Sequence, residues 1–424
     1  MTELHPVLRK SYWTLAGLGI AWAVFLLSMV NPWVQRQVLY SHKLHTAGWW
    51  HNVTNPEEFG FAKGQVQPWW LDTPDGEKLF CWHVLPLDTY LENEMEIVQK
   101  YKGASDGLEG TVGAKLLQRD LKSKVVINFH GNAGHLAQGY RPATFRSIAG
   151  IPHTHLLTCD YRGFGLSTLK NAPHVPTEPG VITDAIALTS YLLSDLQHPA
   201  SRTVLLGQSL GTAVTAATSL YFADPQSSEL PPTVIEPTSK VKTPVSFASI
   251  VLVAPFTDIP QLLKTYHISG WIPILSPLSG YPRIAKFLTN RIVDHWPTLP
   301  RLKALVAATS ATKSPLRISI LHARNDGDIS FRHSEQLYNP LEMALLGEEG
   351  ATSSEERRSI HGGERVNRGA FAYRKVEDAG GERSVELEIV RYGGHNEVVG
   401  FAQVGLAVRR AFKVKTFKPG LDVE

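Results

Sequence analysis

The run Thr203-Val204-Leu205-Leu206-Gly207-Gln208-Ser209-Leu210-Gly211-Thr212-Ala213-Val214 decides the fold class of this chain. It opens as a short apolar stretch of the kind that forms a strand covered on both faces, and it closes as a helical pattern of small residues. Gly207 and Gly211 flank Ser209. A chain that passes from strand to helix so abruptly has no room for bulky neighbours, and the turn leaves the serine hydroxyl exposed at the start of the helix.

The same alternation continues on both sides. Strand-like runs are read at Lys78–Leu85, Lys124–His130, His155–Asp160, Ala248–Ala254, Arg317–His322 and Glu386–Tyr392, and helical spacing at Val181–Leu196 and Leu210–Phe222. Strands alternating with helices predict an α/β fold with a mostly parallel sheet flanked by helices. Three stretches interrupt the rhythm and read as irregular surface excursions: Lys102–Lys122, Ala223–Val245 and Gly347–Arg383. Phe256–Ala304 is different. Its Trp271, Ile274, Leu275, Leu278, Phe287 and Trp296 lie among prolines, which predicts a folded, apolar helical cap, and Trp271, Ile274, Leu275, Leu278 and Phe287 are the candidate residues to line a substrate site.

A serine hydroxyl is a weak nucleophile until a neighbouring base takes its proton. The expected order along the chain is Ser, then the acid, then His, each on a loop just past a strand. Asp326 follows the run Arg317–Leu321 and His395 follows Glu386–Val390, so Ser209, Asp326 and His395 are the candidate nucleophile, acid and base. Asp328 and Asp258 compete with Asp326 for the acid. Attack on a carbonyl creates an oxyanion that needs main-chain N–H donors already in place. Leu210, just after the serine, supplies one, and Asn132, in the turn after Lys124–His130, is the candidate for the second. Asp160 and Arg162 are read as a structural turn; His135 and His322 are left without a role.

The set formed by this elbow, His130-Gly131-Asn132-Ala133-Gly134-His135, Asp160-Tyr161-Arg162-Gly163-Phe164-Gly165-Leu166-Ser167, Asp326 and Gly394-His395 resembles the α/β-hydrolase superfamily. Thr73-Pro74-Asp75-Gly76-Glu77 followed by Trp82-His83-Val84-Leu85-Pro86 is similar to fungal members of the abhydrolase domain-containing protein 12 group. The resemblance extends from about Gly60 to the C-terminus. It implies a membrane serine hydrolase acting on lysophospholipids or monoacylglycerols, with its domain in the endoplasmic reticulum lumen. The gap of 69 positions between Asp326 and His395 departs from the pattern.

No charged residue occurs from Ser11 to Gln35, and Tyr12–Val30 is dominated by apolar residues. As a helix those residues would rise about 28 Å, against a hydrocarbon core of roughly 30 Å. Interfacial aromatics stand at both ends, Pro32 closes the pattern, and no small-residue cleavage site follows, so the segment reads as a signal anchor rather than a cleaved signal peptide. The organisation expected is a tail and anchor over 1–35, a juxtamembrane segment over 36–59 and one domain over 60–424, with the cap at about 256–304. Basic residues on the two sides nearly balance. The acceptor Asn52-Val53-Thr54 just past the span tilts the domain toward the lumen, with Asn52 as the glycosylation site.

The rest of the composition is restrictive. Apolar residues are 43% and charged residues 19%, which fits one globular domain rather than a disordered or polytopic chain. Forty-two basic against 39 acidic residues give a net charge of +3, too little to attract nucleic acid. The two cysteines, Cys81 and Cys159, lie in apolar runs and read as buried free thiols without metal spacing. No cofactor or metal is implied. The partners expected are a lipid ester and the bilayer; oligomeric state stays open. An acyl-protein or acyl-CoA thioesterase shares the same chemistry, and a catalytically silent anchored scaffold is the alternative from another class.

Overall fold

Apolar Val/Ile/Leu runs form the middle of a ten-stranded sheet, where both faces are covered. The computed structural model describes residues 5–44, 51–237, 241–268, 270–347 and 362–413. In chain order the strands are β1 (Val66–Asp72), β2 (Lys78–Val84), β3 (Ser105–Asp106), β4 (Lys124–Phe129), β5 (Thr154–Cys159), β6 (Thr203–Gln208), β7 (Ser249–Val253), β8 (His267–Ile268), β9 (Ile272–Pro273), β10 (Leu316–Ala323), β11 (Ala372–Glu377) and β12 (Arg383–Val390). The main sheet runs β11-β12-β10-β7-β6-β4-β5-β2-β1-β3, and β8 pairs only with β9. From β12 across to β5 all neighbours are parallel. Antiparallel pairs bring β2 onto β5, β1 onto β2 and β11 onto β12. This is the mostly parallel α/β architecture that the sequence pattern predicts.

Alternate residues of β4 feed two cores. Val125 and Ile127 pack with helices Glu178–Ser190, Leu210–Ala223, Thr298–Ala311 and Arg332–Leu346, whereas Val126 packs on the opposite face with Phe145, Ile148, Val404 and Val408. The parallel strands end together at one edge, so the loops after β4, β6, β10 and β12 meet there.

The edges are where sequence pattern and structure diverge. Gly347–Arg383, read as an excursion, contains helix Gly362–Asn367 and the edge strand β11; its residues 348–361 lie outside the described residues. An edge strand alternates polar residues toward solvent and so resembles a loop. Here Arg368 bridges Glu386 and Glu388, and Arg374 meets Glu342. Lys102–Lys122 likewise contains β3 and helix Val112–Arg119. β1 escaped notice because Pro68 interrupts it. Thr298–Ala311 packs on helix Leu210–Ala223 and Trp296 is fully buried, so the cap proper ends before that helix.

The cysteines are not free thiols: Cys81 and Cys159 form a disulfide. The antiparallel register of β2 on β5 sets the two residues directly opposite each other, a pairing that spacing along the chain does not reveal.

At the N-terminus, α1 (Pro6–Ser28) is among the described residues the one helix long and apolar enough to cross a bilayer. Pro32 does not simply end a helix. It opens a second one, α2 (Pro32–Tyr40), whose first turn is capped by Asn31 Oδ1 accepting from the N–H groups of Trp33 and Val34. Arg36 and Tyr40 both bind Asp294 at the foot of the cap.

The disulfide gives a direct check. Alkylation of the unfolded chain should modify neither cysteine without reductant and both after reduction; modification of both in unreduced protein would contradict the pairing.

Candidate active site

The turn after β6 leaves no room for a side chain two positions to either side of the serine. A Cβ on Gly207 would lie 2.2 Å from the Gly211 carbonyl oxygen, and one on Gly211 would lie 2.0 Å from that of Phe129. Ser209 itself adopts φ 52° and ψ −120°, a conformation that costs an L-residue about 1–3 kcal/mol. Helix Leu210–Ala223 begins at the next residue, so the Leu210 N–H is one of the unpaired donors at a helix start.

Three loops converge on the serine. Its Oγ lies 3.0 Å from His395 Nε2, and His395 Nδ1 lies 2.8 Å from Asp326 Oδ2. A carboxylate can only accept, so His395 carries its proton on Nδ1 and presents Nε2 as the acceptor for the serine hydroxyl. Gln208 Nε2 donates to the His395 carbonyl, and the Gly394 N–H donates to Asn325 Oδ1, tying the histidine loop to the serine and aspartate loops.

Asp326 is held by four donors. Oδ1 accepts from the N–H groups of Asp328 and Ile329, and Oδ2 accepts from His395 and, at 3.2 Å, from His322 Nε2. His322 is fully buried; Ser334 Oγ donates to its Nδ1, which leaves the proton on Nε2 facing the carboxylate. The sequence marked His322 only by its nearness to the strand end, and nothing in its spacing identified it as a donor to Asp326. Of the competing carboxylates, Asp258 caps helix Ile259–Thr265 through Gln261, and Asp328 contributes its amide to Asp326.

Charge follows from this geometry. Burial alone would raise the Asp326 carboxyl, but the charges and hydrogen bonds of His395 and His322 outweigh it and hold the group well below the usual carboxylate range. Burial disfavours the His395 imidazolium, yet Asp326, with help from Asp328 and Glu397, outweighs it and raises its pKa above 6.5.

The loop after β4 lies across from the serine: a Cβ on Gly131 would meet Ser209 Cβ at 3.3 Å. The partly buried Arg141 gathers the carbonyls of Gly131, Asn132 and Ala133 and so holds the loop in place. Among the described residues, the Asn132 main-chain N–H has no acceptor. The loop is also braced from α2 and the residues just past it: Ala133 N–H donates to Tyr40 O, Gly134 N–H to Leu44 O, and Asn132 Nδ2 to Leu39 O.

Ser209, Leu210 and Asn132 line a mainly apolar cavity of about 460 Å³, within the usual size of small-molecule sites. The structure brings Ile274 and Leu275 to its wall but not the other three predicted lining residues. Trp271, at the tip of the β8–β9 hairpin, is 87% exposed; Phe287 is half exposed and stacked under Arg291; Leu278 is buried against Leu26. Composition marked the cap as apolar but could not say which side chains turn inward. The wall also includes Phe25, Leu26 and Met29 from the N-terminal segment, a placement that no local sequence pattern encodes. Arg162, by contrast, bridges Asp75 and Asp184 and serves the fold. Asn52 is exposed, with its Oδ1 accepting from Thr54. Among the described residues no cluster of side chains suits a metal ion.

Set beside known proteins, the chain aligns along nearly its whole length with one structure. The alpha-beta hydrolase (ABH) from Vibrio vulnificus superposes with a TM-score of 0.50 at 13% identity, over 96% of this chain and 95% of that one. The fold is that of an α/β-hydrolase. No family model matches. In sequence, the chain is 28% identical to Protein ABHD12B of Homo sapiens over 225 residues, 53% of this chain and 52% of that protein. It is 25% identical to Uncharacterized protein YfhR of Salmonella typhi over 223 residues, 50% of this chain and 58% of that protein. The chain thus matches little more than half the length of these curated relatives.

The geometry separates the three carboxylates. Asp326→Asn should lower kcat/KM for any ester substrate by roughly ten-thousand-fold, as expected when the imidazole loses its orienting anion, and far more than Asp258→Asn or Asp328→Asn. In the unaltered protein, activity should be present above the raised His395 pKa and be lost as pH falls through it, because the imidazolium cannot accept the serine proton. An acid limb of the kcat/KM profile below 6.5, or greater damage from Asp258→Asn, would contradict this assignment.

Proposed function

We propose that this protein is a membrane-anchored serine hydrolase that cleaves acyl esters of single-chain glycerolipids, a lysophospholipid or a monoacylglycerol, through an acyl-Ser209 intermediate. The observation that carries the reading is the unbroken chain from Ser209 through His395 to Asp326, with Ser209 lining an apolar cavity.

In the reaction, His395 Nε2 takes the hydroxyl proton as Ser209 Oγ attacks the ester carbonyl. The oxyanion is met by the N–H groups of Leu210 and Asn132, which are fixed by the helix start and by Arg141 and so need no reorganisation. The imidazolium, stabilised by Asp326, then protonates the departing glycerol oxygen, and a water activated by the same histidine releases the fatty acid. A cavity with mostly apolar walls favours a long acyl chain by about 0.8 kcal/mol per buried methylene. The anchor α1 would keep the domain at the surface where such lipids reside. A luminal domain is supported by the Cys81–Cys159 disulfide, which is stable in oxidising compartments, and by the exposed acceptor Asn52.

Ser209→Ala should abolish labelling by a fluorophosphonate and reduce lipid hydrolysis by about a million-fold, with the protein still folded and membrane-bound. Labelling that persists in this variant would place the nucleophile elsewhere. In a substrate panel, activity confined to acyl thioesters would replace this reading with a thioesterase, and no turnover on any acyl donor would leave a binding scaffold.

A further inference from the structure

The cavity beside Ser209 is not closed by the cap alone. Phe25, Leu26 and Met29, at the end of α1, form part of its wall together with Ile274, Leu275 and Leu288. This contact is specific: Leu26 is buried in a cluster with Leu275 and Leu278, and Trp22 Nε1 donates to the Ile274 carbonyl. The segment that follows braces the loop facing the serine from Tyr40, Leu44 and Leu39. The N-terminal segment therefore both walls the cavity and positions the loop facing the serine.

Helix length fixes the depth of this contact. The uncharged part of α1 begins at Ser11, and Ser11–Ala21 rises only about 16 Å; even all of Pro6–Ala21 rises about 24 Å. A hydrocarbon core is roughly 30 Å thick. For α1 to span it, Trp22–Ser28 must also lie within the core, and the cap elements packed on those turns then lie at the same depth. The outer surface of the cap suits that position. Trp271, Ile272, Tyr281 and Ile284 are all at least half exposed, and the exposed Arg283 and Lys286, on the short helix Pro282–Thr289 that carries Ile284, can meet lipid phosphates.

We propose that the last turns of α1 and the cap are embedded together in one leaflet and form a lateral entrance, lined by Phe25, Leu26 and Met29, through which an acyl chain passes from the bilayer to Ser209 without crossing water. This rests on the reading of Ser209 as the acyl nucleophile. The occupant of the exposed cap face is the leaflet itself, because the cap packs on the helix that is, among the described residues, the one long and apolar enough to span.

The test uses the full chain in phosphatidylcholine vesicles. A fluorophosphonate bearing a long alkyl chain with a terminal diazirine is attached to Ser209 and photolysed. Crosslinks should fall in the peptide containing Trp22–Met29 and in Ile274–Leu288; crosslinks confined to other parts of the chain would overturn the proposal. In parallel, Leu26→Trp and, separately, Met29→Trp should lower kcat/KM for an eighteen-carbon monoacylglycerol at least about tenfold relative to an acetyl ester. Equal changes on both substrates in both variants would argue against the entrance. Depth is read independently by a spin label at Ile272→Cys, the native cysteines being joined to each other. It should be more accessible to oxygen than to a water-soluble nickel chelate, whereas a label at Leu121→Cys, before β4 at the opposite edge of the sheet, should show the reverse. Water-type accessibility at both positions would also overturn it. If the probe fails to attach to Ser209 at all, it is the assignment of the nucleophile that fails; if it attaches but crosslinks elsewhere, only the entrance does.

Discussion

The structure depends on one close approach, that of helix Leu210–Ala223 to the ends of β6 and β4. Two glycines make it possible, since a side chain at Gly207 or Gly211 would overlap main-chain oxygens at about 2 Å. Once the helix starts this early, Ser209 has no choice but a left-handed conformation, and its hydroxyl is thrust out where the parallel strands end. The local strain, about 1–3 kcal/mol, is offset by a helix buried along almost its whole length between the sheet and helices Glu178–Ser190 and Thr298–Ala311. A rigid core thereby holds an unfavourable turn at the point where chemistry needs it.

Electrostatics complete what packing begins. A buried carboxylate is costly unless its lone pairs are filled, and Asp326 is supplied with two amides and two imidazoles. The two histidines differ in what they do with their other nitrogen. His322 spends it on Ser334 inside the core, whereas His395 turns it to Ser209. The same anion that fixes the His395 tautomer also raises its pKa, so an imidazole placed to take the serine proton would, on the proposed reading, also be able to hold it.

Much of this was legible in the sequence, for identifiable reasons. β4, β6 and β7 are covered on both faces and therefore carry continuous apolar runs, β10 and β12 keep a strand-like pattern of Ile, Leu and Val, and the loops following four of these strands carry Asn132, Ser209, Asp326 and His395. What escaped depends on partners distant in the chain. β11 alternates like a solvated loop because it is an edge, and β1 carries Pro68. The Cys81–Cys159 bond follows from a strand register that local pattern does not encode. Size and hydrophobicity mark the cap side chains as a group but do not distinguish Leu275, facing the cavity, from Trp271, facing out. His322 looked like any histidine near a strand end until its contact with Asp326 could be measured.

The N-terminal helices would then be more than an attachment, because they contribute to the cavity wall and to the support of the loop facing the serine. On the proposed reading, that arrangement would join the position of the protein in a bilayer to acyl transfer at Ser209, and both converge on a single covalent species. The most direct measurement is rapid quench of the full-length protein with a long-chain p-nitrophenyl ester, followed by intact mass and peptide mapping. The account predicts a burst of p-nitrophenol equal to the active enzyme, accompanied by one acyl group on the peptide that contains Ser209. Steady release of nitrophenol with no acylated peptide, or an acyl group on a different residue, would contradict it.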